Sequence, residues 1–86
     1  MDEIKQLRKK VDVIDEQLLK LLSQRVQVCR SIGSIKKNCG LPVYDADREK
    51  ELYHSIKVKA EQLCIDPSQV EAIYREIVNM CSAVQQ

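Results

Sequence analysis

The stretch Ile4–Ile35, IKQLRKKVDVIDEQLLKLLSQRVQVCRSIGSI, decides the fold. Ten of its residues follow one another at alternating steps of three and four, and nine of the ten are aliphatic. They are Ile4, Leu7, Val11, Ile14, Leu18, Leu21, Arg25, Val28, Ile32 and Ile35. This spacing is typical of one long helix that packs against other helices. A helix from about Glu3 to Asn38 would be ~50 Å long, which exceeds the diameter of an 86-residue globule and favours a dimer.

Two breaks divide the rest of the chain into two shorter helices. Gly40 suits the end of the long helix, and Pro42 prevents that helix from resuming. Asp45 is a favourable N-cap for a second helix, and Asp66 followed by Pro67 marks the start of a third. The sequence therefore predicts an all-α fold class with three helices per chain, one long and two shorter, in an intertwined helical homodimer.

The composition limits the classes of partner and compartment. The 86 residues carry 14 basic and 13 acidic side chains, and no apolar run approaches membrane-spanning length. We therefore expect one domain over residues 1–86 that binds neither nucleic acid nor a membrane. The four cysteines form no Cys-x-x-Cys pair and His54 is the single histidine, so we predict no zinc site and no cofactor. The start Met1–Glu3 lacks the features of a signal peptide, which favours reduced cysteines and a cytoplasmic location.

The ten residues with 3-4 spacing form the apolar seam of the long helix. Arg25 occupies one of these positions, where an apolar side chain is expected. A buried guanidinium is costly unless it is paired, so Arg25 either forms an internal salt bridge that fixes the helix register or binds an anion in a cavity. Lys36 lies eleven residues later, which is three helical turns, so the two Cα atoms would be ~16 Å apart on one face. Alone, Lys36 is a cation favoured by the C-terminal helix dipole. Together the two side chains could hold a small dianion.

Two further groups of polar residues are less distinctive. Asp45, Arg48 and Glu49 cluster at the start of the second helix, where capping and a solvated charged face are the simpler interpretation. Cys81 and Gln85 are four residues apart on the third helix, where an ordinary core cysteine and a frayed terminal glutamine are the simpler interpretation. Neither group predicts a site without further support.

The ordered set of motifs resembles the all-helical chorismate mutases over essentially the whole chain. The segments that carry this resemblance are Leu7-Arg8, Ile14-Asp15-Glu16-Gln17-Leu18-Leu19, Leu22-Ser23-Gln24-Arg25, Ile32-Gly33, Lys36, Pro42-Val43-Tyr44-Asp45, Arg48-Glu49-Lys50-Glu51, Tyr74-Arg75-Glu76-Ile77, Cys81 and Gln85. The resemblance implies a dimer in which the long helices pair and each active site receives one Arg from the other chain. Arg8 matches that donated residue, and it lies ~25 Å from Arg25 along one helix, too far to share a small ligand within one copy.

The resemblance also implies how the substrate chorismate is held. Arg25 and Lys36, with Arg8 of the partner subunit, would bind its two carboxylates. Lys36 and Gln85 would also reach the ether oxygen of the bond that breaks. These assignments come from the family and not from helical periodicity.

The remaining candidates would surround the polar end of the substrate. By the same resemblance, Glu49 and the backbone at Asp45 hold the ring hydroxyl, and Arg48 supports the polar end of the pocket. Cys81 lies where some relatives carry Ser near a carboxylate. Because a thiol is a weaker hydrogen-bond donor than a hydroxyl, this departure puts direct substrate contact by Cys81 in doubt.

The implied activity is the Claisen rearrangement of chorismate to prephenate, in phenylalanine and tyrosine biosynthesis. This reaction is intramolecular and needs no nucleophile, so conformational restraint and stabilisation of charge on the ether oxygen are sufficient. Two enzymes on the same scaffold, isochorismate pyruvate lyase and aminochorismate mutase, are alternatives. A non-catalytic helical dimerisation module is an alternative from another class, because the heptads alone would support it.

Overall fold

A computed structural model describes residues 2–86 as three α-helices. The first, α1, spans Asp2–Asn38, α2 spans Ala46–Gln62, and α3 spans Pro67–Gln85. The all-α prediction of one long and two shorter helices is confirmed, and α1 begins within one residue of the predicted start. None of these helices is long and apolar enough to cross a membrane.

The predicted capping residues begin the two shorter helices. The Asp45 carboxylate accepts a hydrogen bond from the Arg48 backbone N–H at 3.1 Å. The Asp66 carboxylate accepts from the backbone N–H groups of Ser68 and Gln69 at 2.9 and 3.3 Å. Each cap satisfies N–H groups that have no partner in the first helical turn, which fixes where the helix starts.

Two left-handed residues end α1 and α2. Gly40, with φ of +67°, ends α1, and the Leu41 N–H donates to the Lys36 carbonyl at 2.8 Å. Cys64, with φ of +59°, plays the same part after α2, and the Ile65 N–H donates to the Ala60 carbonyl at 2.9 Å. Glycine is the usual residue at such a position, so Cys64 carries backbone strain that Gly40 avoids.

Helix α3 packs against both α1 and α2. It approaches α1 closely at Gly33, where an added Cβ would lie 2.8 Å from the Gln85 Cα atom. Gly33 is therefore required by the close approach of two backbones. The contact sets the spacing of α1 and α3 where both helices line the candidate site.

Helices α2 and α3 are also joined by a charged cluster at their surface. Lys57 and Glu71 form an ion pair at 2.7 Å, and the Arg75 guanidinium contacts the same carboxylate at 3.5 Å. Arg75 also stacks over the Tyr53 ring at 4.6 Å. The hydrogen bond from Lys57 holds the pKa of Glu71 below its ordinary value. This cluster holds α2 against α3, and α2 supplies one wall of the candidate site.

The N-terminal half of α1 extends beyond the rest of the chain. Residues 2–21 are all exposed, and the described chain measures 57 × 24 × 15 Å. Its radius of gyration of 16.3 Å exceeds the ~12 Å expected for a compact domain of this length. The seam residues Leu7, Val11, Ile14 and Leu18 are each more than half exposed. A single copy therefore leaves the predicted apolar seam in water.

Candidate active site

A cavity of 390 Å³ lies among the three helices and the α1–α2 loop. This volume suits a small organic ligand. Its apolar walls include Val28, Ile32, Leu52 and Val78. Seven of the eight residues predicted from the sequence line it, namely Arg25, Lys36, Asp45, Arg48, Glu49, Cys81 and Gln85. The fold thus gathers residues that are up to sixty positions apart in the chain into one concave surface.

Arg25 reaches from α1 across to α3. Its guanidinium Nη1 donates to the Cys81 sulfur at 2.8 Å and lies 3.9 Å from the Cys29 sulfur. Within residues 2–86 it pairs with no carboxylate, so no salt bridge inside the described chain offsets its charge. A half-buried guanidinium in a cavity with sulfur atoms as its only side-chain partners is suited to receive an anion.

Lys36 joins the ends of α1 and α3 to the loop. Its ammonium donates to the Val43 carbonyl at 2.9 Å and, by a longer hydrogen bond of 3.4 Å, to the Gln85 Oε1 atom. Because Oε1 accepts from Lys36, the Gln85 amide turns its NH₂ group away from the ammonium. Lys36 and Gln85 therefore present two different donors, one charged and one neutral, at the same end of the cavity.

The start of α2 brings charges of both signs to the cavity. Arg48 and Glu49 line it from the first turn, together with Asp45. The Asp45 carboxylate is occupied in capping α2, so its side chain serves the helix and not the cavity. Glu49 is half-buried and is the carboxylate left to accept a hydrogen bond from a bound ligand.

Cys29 is a member of the cavity that the sequence did not single out. Its thiol lies beside Arg25, Cys81 and Gln85, and burial, followed by the contact with Cys81, raises its pKa. The sequence does place Cys29 on the same helical face as the site, because Cys29 lies four residues after Arg25 and four before Gly33. Without the crossing of α1 and α3, that face could not be distinguished from ordinary core.

Arg8 is the one predicted site residue that the fold does not bring to the cavity. It is exposed on the projecting half of α1, almost five helical turns before the cavity begins at Arg25. No group of His, Cys, Asp and Glu side chains among residues 2–86 could hold a metal ion. The side chains that line the cavity offer anion binding, hydrogen bonding and charge stabilisation.

Comparisons with known proteins identify a family for this chain. A family profile described as chorismate mutase type II matches residues 7–86. The chain is 36% identical to the bifunctional chorismate mutase/prephenate dehydratase of Aquifex aeolicus over 99% of its own length and 24% of that protein. It is 28% identical to the chorismate mutase of Methanocaldococcus jannaschii, over 99% of its own length and 86% of that protein. It thus spans about a quarter of the length of the bifunctional relative and most of the other.

A solved structure extends the agreement to the fold. The structure of a conserved hypothetical protein from Pyrococcus furiosus superposes with a TM-score of 0.81 at 31% identity, covering 100% of this chain and 99% of that one. The family match covers α2, α3 and all but the first turn of α1. The chain therefore belongs to the chorismate mutase type II family.

Proposed function

We propose that this chain is a chorismate mutase that converts chorismate to prephenate by an intramolecular Claisen rearrangement, within phenylalanine and tyrosine biosynthesis. The observation that carries the proposal is the contact between Lys36 and Gln85 in a cavity that also holds the unpaired guanidinium of Arg25. The family match supports the same reaction. Residues 1–86 would form one mutase domain.

Substrate binding would depend on fixed cations. Chorismate carries two carboxylates, one on the ring and one on the enolpyruvyl arm. Arg25 and Lys36 approach the cavity from positions three helical turns apart on α1, so each could anchor one end of the dianion. Holding both carboxylates folds the flexible arm over the ring into the reactive conformer, which removes part of the entropic barrier.

Catalysis would depend on donors at the ether oxygen. In the transition state the breaking C–O bond places negative charge on that oxygen. The Lys36 ammonium and the Gln85 amide are already oriented by their mutual hydrogen bond, so they stabilise this charge without reorganising. Neither a nucleophile nor a proton transfer is needed at the reacting carbons.

The other lining residues would hold the ring. Glu49 would accept a hydrogen bond from the ring hydroxyl, together with the backbone at Asp45, and Arg48 would support the polar end. Cys81 would act mainly through Arg25, because its sulfur accepts the guanidinium N–H at 2.8 Å. In this proposal Cys81 positions Arg25 where some relatives use Ser near a carboxylate.

The direct test is product analysis with purified protein. Incubation with chorismate should yield prephenate at a rate at least ~10⁶-fold above the uncatalysed rearrangement, the lower end of the range for enzymes. Isochorismate and aminochorismate should remain unchanged under the same conditions. Release of pyruvate from isochorismate would instead indicate the lyase. A folded protein that neither turns over nor binds any of the three compounds would support the non-catalytic module.

We further propose that the functional unit is an intertwined homodimer in the cytoplasm. The exposed seam of α1, from Leu7 to Leu18, is the apolar surface that a second copy would cover. An antiparallel partner helix would bring Arg8 of the partner subunit to the cavity that Arg25 lines. All four cysteines are free thiols, which agrees with a reducing compartment.

Subunit complementation tests the donated arginine. Arg8→Ala and Arg25→Ala should each abolish most of the activity, because each removes one carboxylate ligand from both sites of a dimer. After unfolding and refolding of a mixture, heterodimers should carry one site with both arginines, so about a quarter of the wild-type activity should return. Arg30→Ala, which changes an exposed arginine on α1, is the matched control and should retain activity.

The same mixture distinguishes the alternatives. Two inactive variants that stay inactive after mixing, while light scattering shows dimers, would contradict donation of Arg8 across the interface. A monomer at all concentrations would contradict the homodimer itself. Full activity in Arg8→Ala alone would remove Arg8 from the site without affecting the assignment of Arg25.

A further inference from the structure

Two buried thiols meet at the contact between α1 and α3. Cys29 and Cys81 both line the candidate cavity, and they are only 9% and 3% exposed. Both sulfurs lie against the same guanidinium nitrogen of Arg25, at 3.9 and 2.8 Å. Because both sulfurs contact this one nitrogen, the two thiols are neighbours in the cavity. They form a dithiol pair that the proposed rearrangement does not use.

The backbone holds this pair in place. One helical turn after each cysteine lie Gly33 on α1 and Gln85 on α3, where an added Cβ would be 2.8 Å from the opposite backbone. Cys29 and Cys81 therefore lie one turn before a close approach of the two helices. A disulfide requires Cα atoms within about 7 Å, a separation that closely packed backbones favour once the Arg25 guanidinium moves aside.

We propose that Cys29 and Cys81 form a modification site that takes a hydroperoxide and closes to an intrachain disulfide. With hydrogen peroxide as the hydroperoxide, the sulfur of Cys81 attacks one peroxide oxygen, the O–O bond breaks to release water, and Cys81 is left as a sulfenic acid. The sulfur of Cys29 then attacks the Cys81 sulfur, the S–O bond breaks, and a second water leaves. Two thiols are oxidised to one disulfide, and the peroxide accepts the two electrons.

The surroundings assign the order of the two steps. Arg25 places its permanent charge directly against the Cys81 sulfur, which favours Cys81 as the nucleophile. Burial raises the pKa of the Cys29 thiol, which suits it to react second. The 390 Å³ cavity admits a small hydroperoxide to both sulfurs. Cys39 and Cys64 are exposed and lie outside the cavity, so they lack both the cation and the partner.

Oxidation would change the candidate active site directly. The disulfide would withdraw the sulfur that accepts from Arg25 and the sulfur beside the Gln85 amide. Displacing such groups by about 1 Å can lower a catalytic rate ~100-fold. We therefore expect oxidation to lower the rate of chorismate conversion reversibly, by about 10- to 100-fold. This consequence rests on the proposed mutase function, whereas disulfide formation itself does not.

The experiment uses the full chain carrying Cys39→Ser and Cys64→Gly, which removes both exposed thiols. Glycine is chosen at 64 because that residue has a φ of +59°. After treatment with hydrogen peroxide, intact mass should fall by two hydrogen atoms, both thiols should resist alkylation, and a peptide map should show Cys29 joined to Cys81. Dithiothreitol should restore the mass, the thiols and the rate of chorismate conversion.

Single variants in the same background separate the two roles. With Cys29→Ser, Cys81 should gain oxygen and form no cross-link. With Cys81→Ser, Cys29 should remain reduced at the same peroxide dose. Oxygen addition without a cross-link in the parent would overturn the proposal, as would protection of both thiols in the folded chain when urea allows their oxidation. A reversible cross-link in a protein that never converts chorismate would uphold the site and reject the mutase function.

Discussion

Replacing Lys36 with methionine is expected to lower kcat/KM for chorismate by ~1,000-fold or more. Removing one preorganised donor from a developing oxyanion typically costs 10²- to 10³-fold, and Lys36 is proposed to anchor a carboxylate as well. The change also leaves the Val43 carbonyl and the Gln85 Oε1 atom without their donor. The Gln85 amide then loses its fixed orientation, so the second donor is weakened together with the first.

The kinetic constants separate the two roles of Lys36. Lys36→Arg keeps a cation that can bind a carboxylate but replaces the compact ammonium with a planar fork. We expect KM to stay near the wild-type value in Lys36→Arg while kcat falls by ~100-fold, because the ether-oxygen interaction strengthens only in the transition state. Steady-state kinetics with prephenate detection measures both constants.

Lys37→Met is the matched control for this prediction. Lys37 is the exposed neighbour of Lys36 in the last turn of α1, so it shares the helix dipole but not the cavity. Lys37→Met should change kcat/KM less than about threefold and the free energy of unfolding by only a few tenths of a kcal/mol. If Lys36→Met folds normally and retains more than a tenth of the wild-type kcat, Lys36 does not stabilise the transition state.

The helices could be predicted from the sequence because their causes are local. The 3-4 repeat from Ile4 to Ile35 and the caps Asp45 and Asp66 each depend on residues a few positions apart, and all reappear in the structure. The left-handed Cys64 was not predicted, because a glycine usually marks that position. Here the hydrogen bonds that end α2 and the return of the chain to α3 impose the conformation on a cysteine.

The candidate site depended on a different kind of inference. Heptad spacing singled out Arg25 and placed Lys36 on its face, but it left Cys81 and Gln85 as ordinary helix residues. The family resemblance joined these residues into one site, and the fold brings them to one cavity. Cys29 was missed because its part depends on how α1 crosses α3. Crossing geometry is set by packing between distant segments and not by the local pattern.

Replacing Gly33 with alanine is expected to destabilise the fold and to lower kcat by ~100-fold or more. In an exposed helix interior this substitution stabilises by about 1 kcal/mol, because alanine has the higher helix propensity. At Gly33 the new Cβ would lie 2.8 Å from the Gln85 Cα atom and 3.0 Å from its Cβ. The nearest atom belongs to the backbone, so a change of side-chain rotamer cannot relieve the clash, and α3 must move away from α1.

The cost of that movement should exceed the gain in helix propensity. Overpacking a close contact typically costs 1–3 kcal/mol and the helix propensity returns about 1 kcal/mol, so we expect a net loss of up to about 2 kcal/mol in the free energy of unfolding. Urea denaturation followed by circular dichroism measures this change. Ser34→Ala is the matched control, because Ser34 is the exposed neighbour of Gly33 and gains helix propensity without a clash. It should be neutral or slightly stabilising.

The effect of Gly33→Ala on catalysis follows from which groups move. Displacing α3 carries Gln85 away from Lys36, across a hydrogen bond that is already 3.4 Å long. Arg25 lies more than two helical turns before Gly33 on α1, so its position should change little. Carboxylate binding, and with it KM, should therefore change less than kcat. A stabilised Gly33→Ala variant with wild-type kcat would show that the α1–α3 spacing is not critical. A destabilised variant with wild-type kcat would confine Gly33 to the fold and exclude Gln85 as a donor that requires a fixed position.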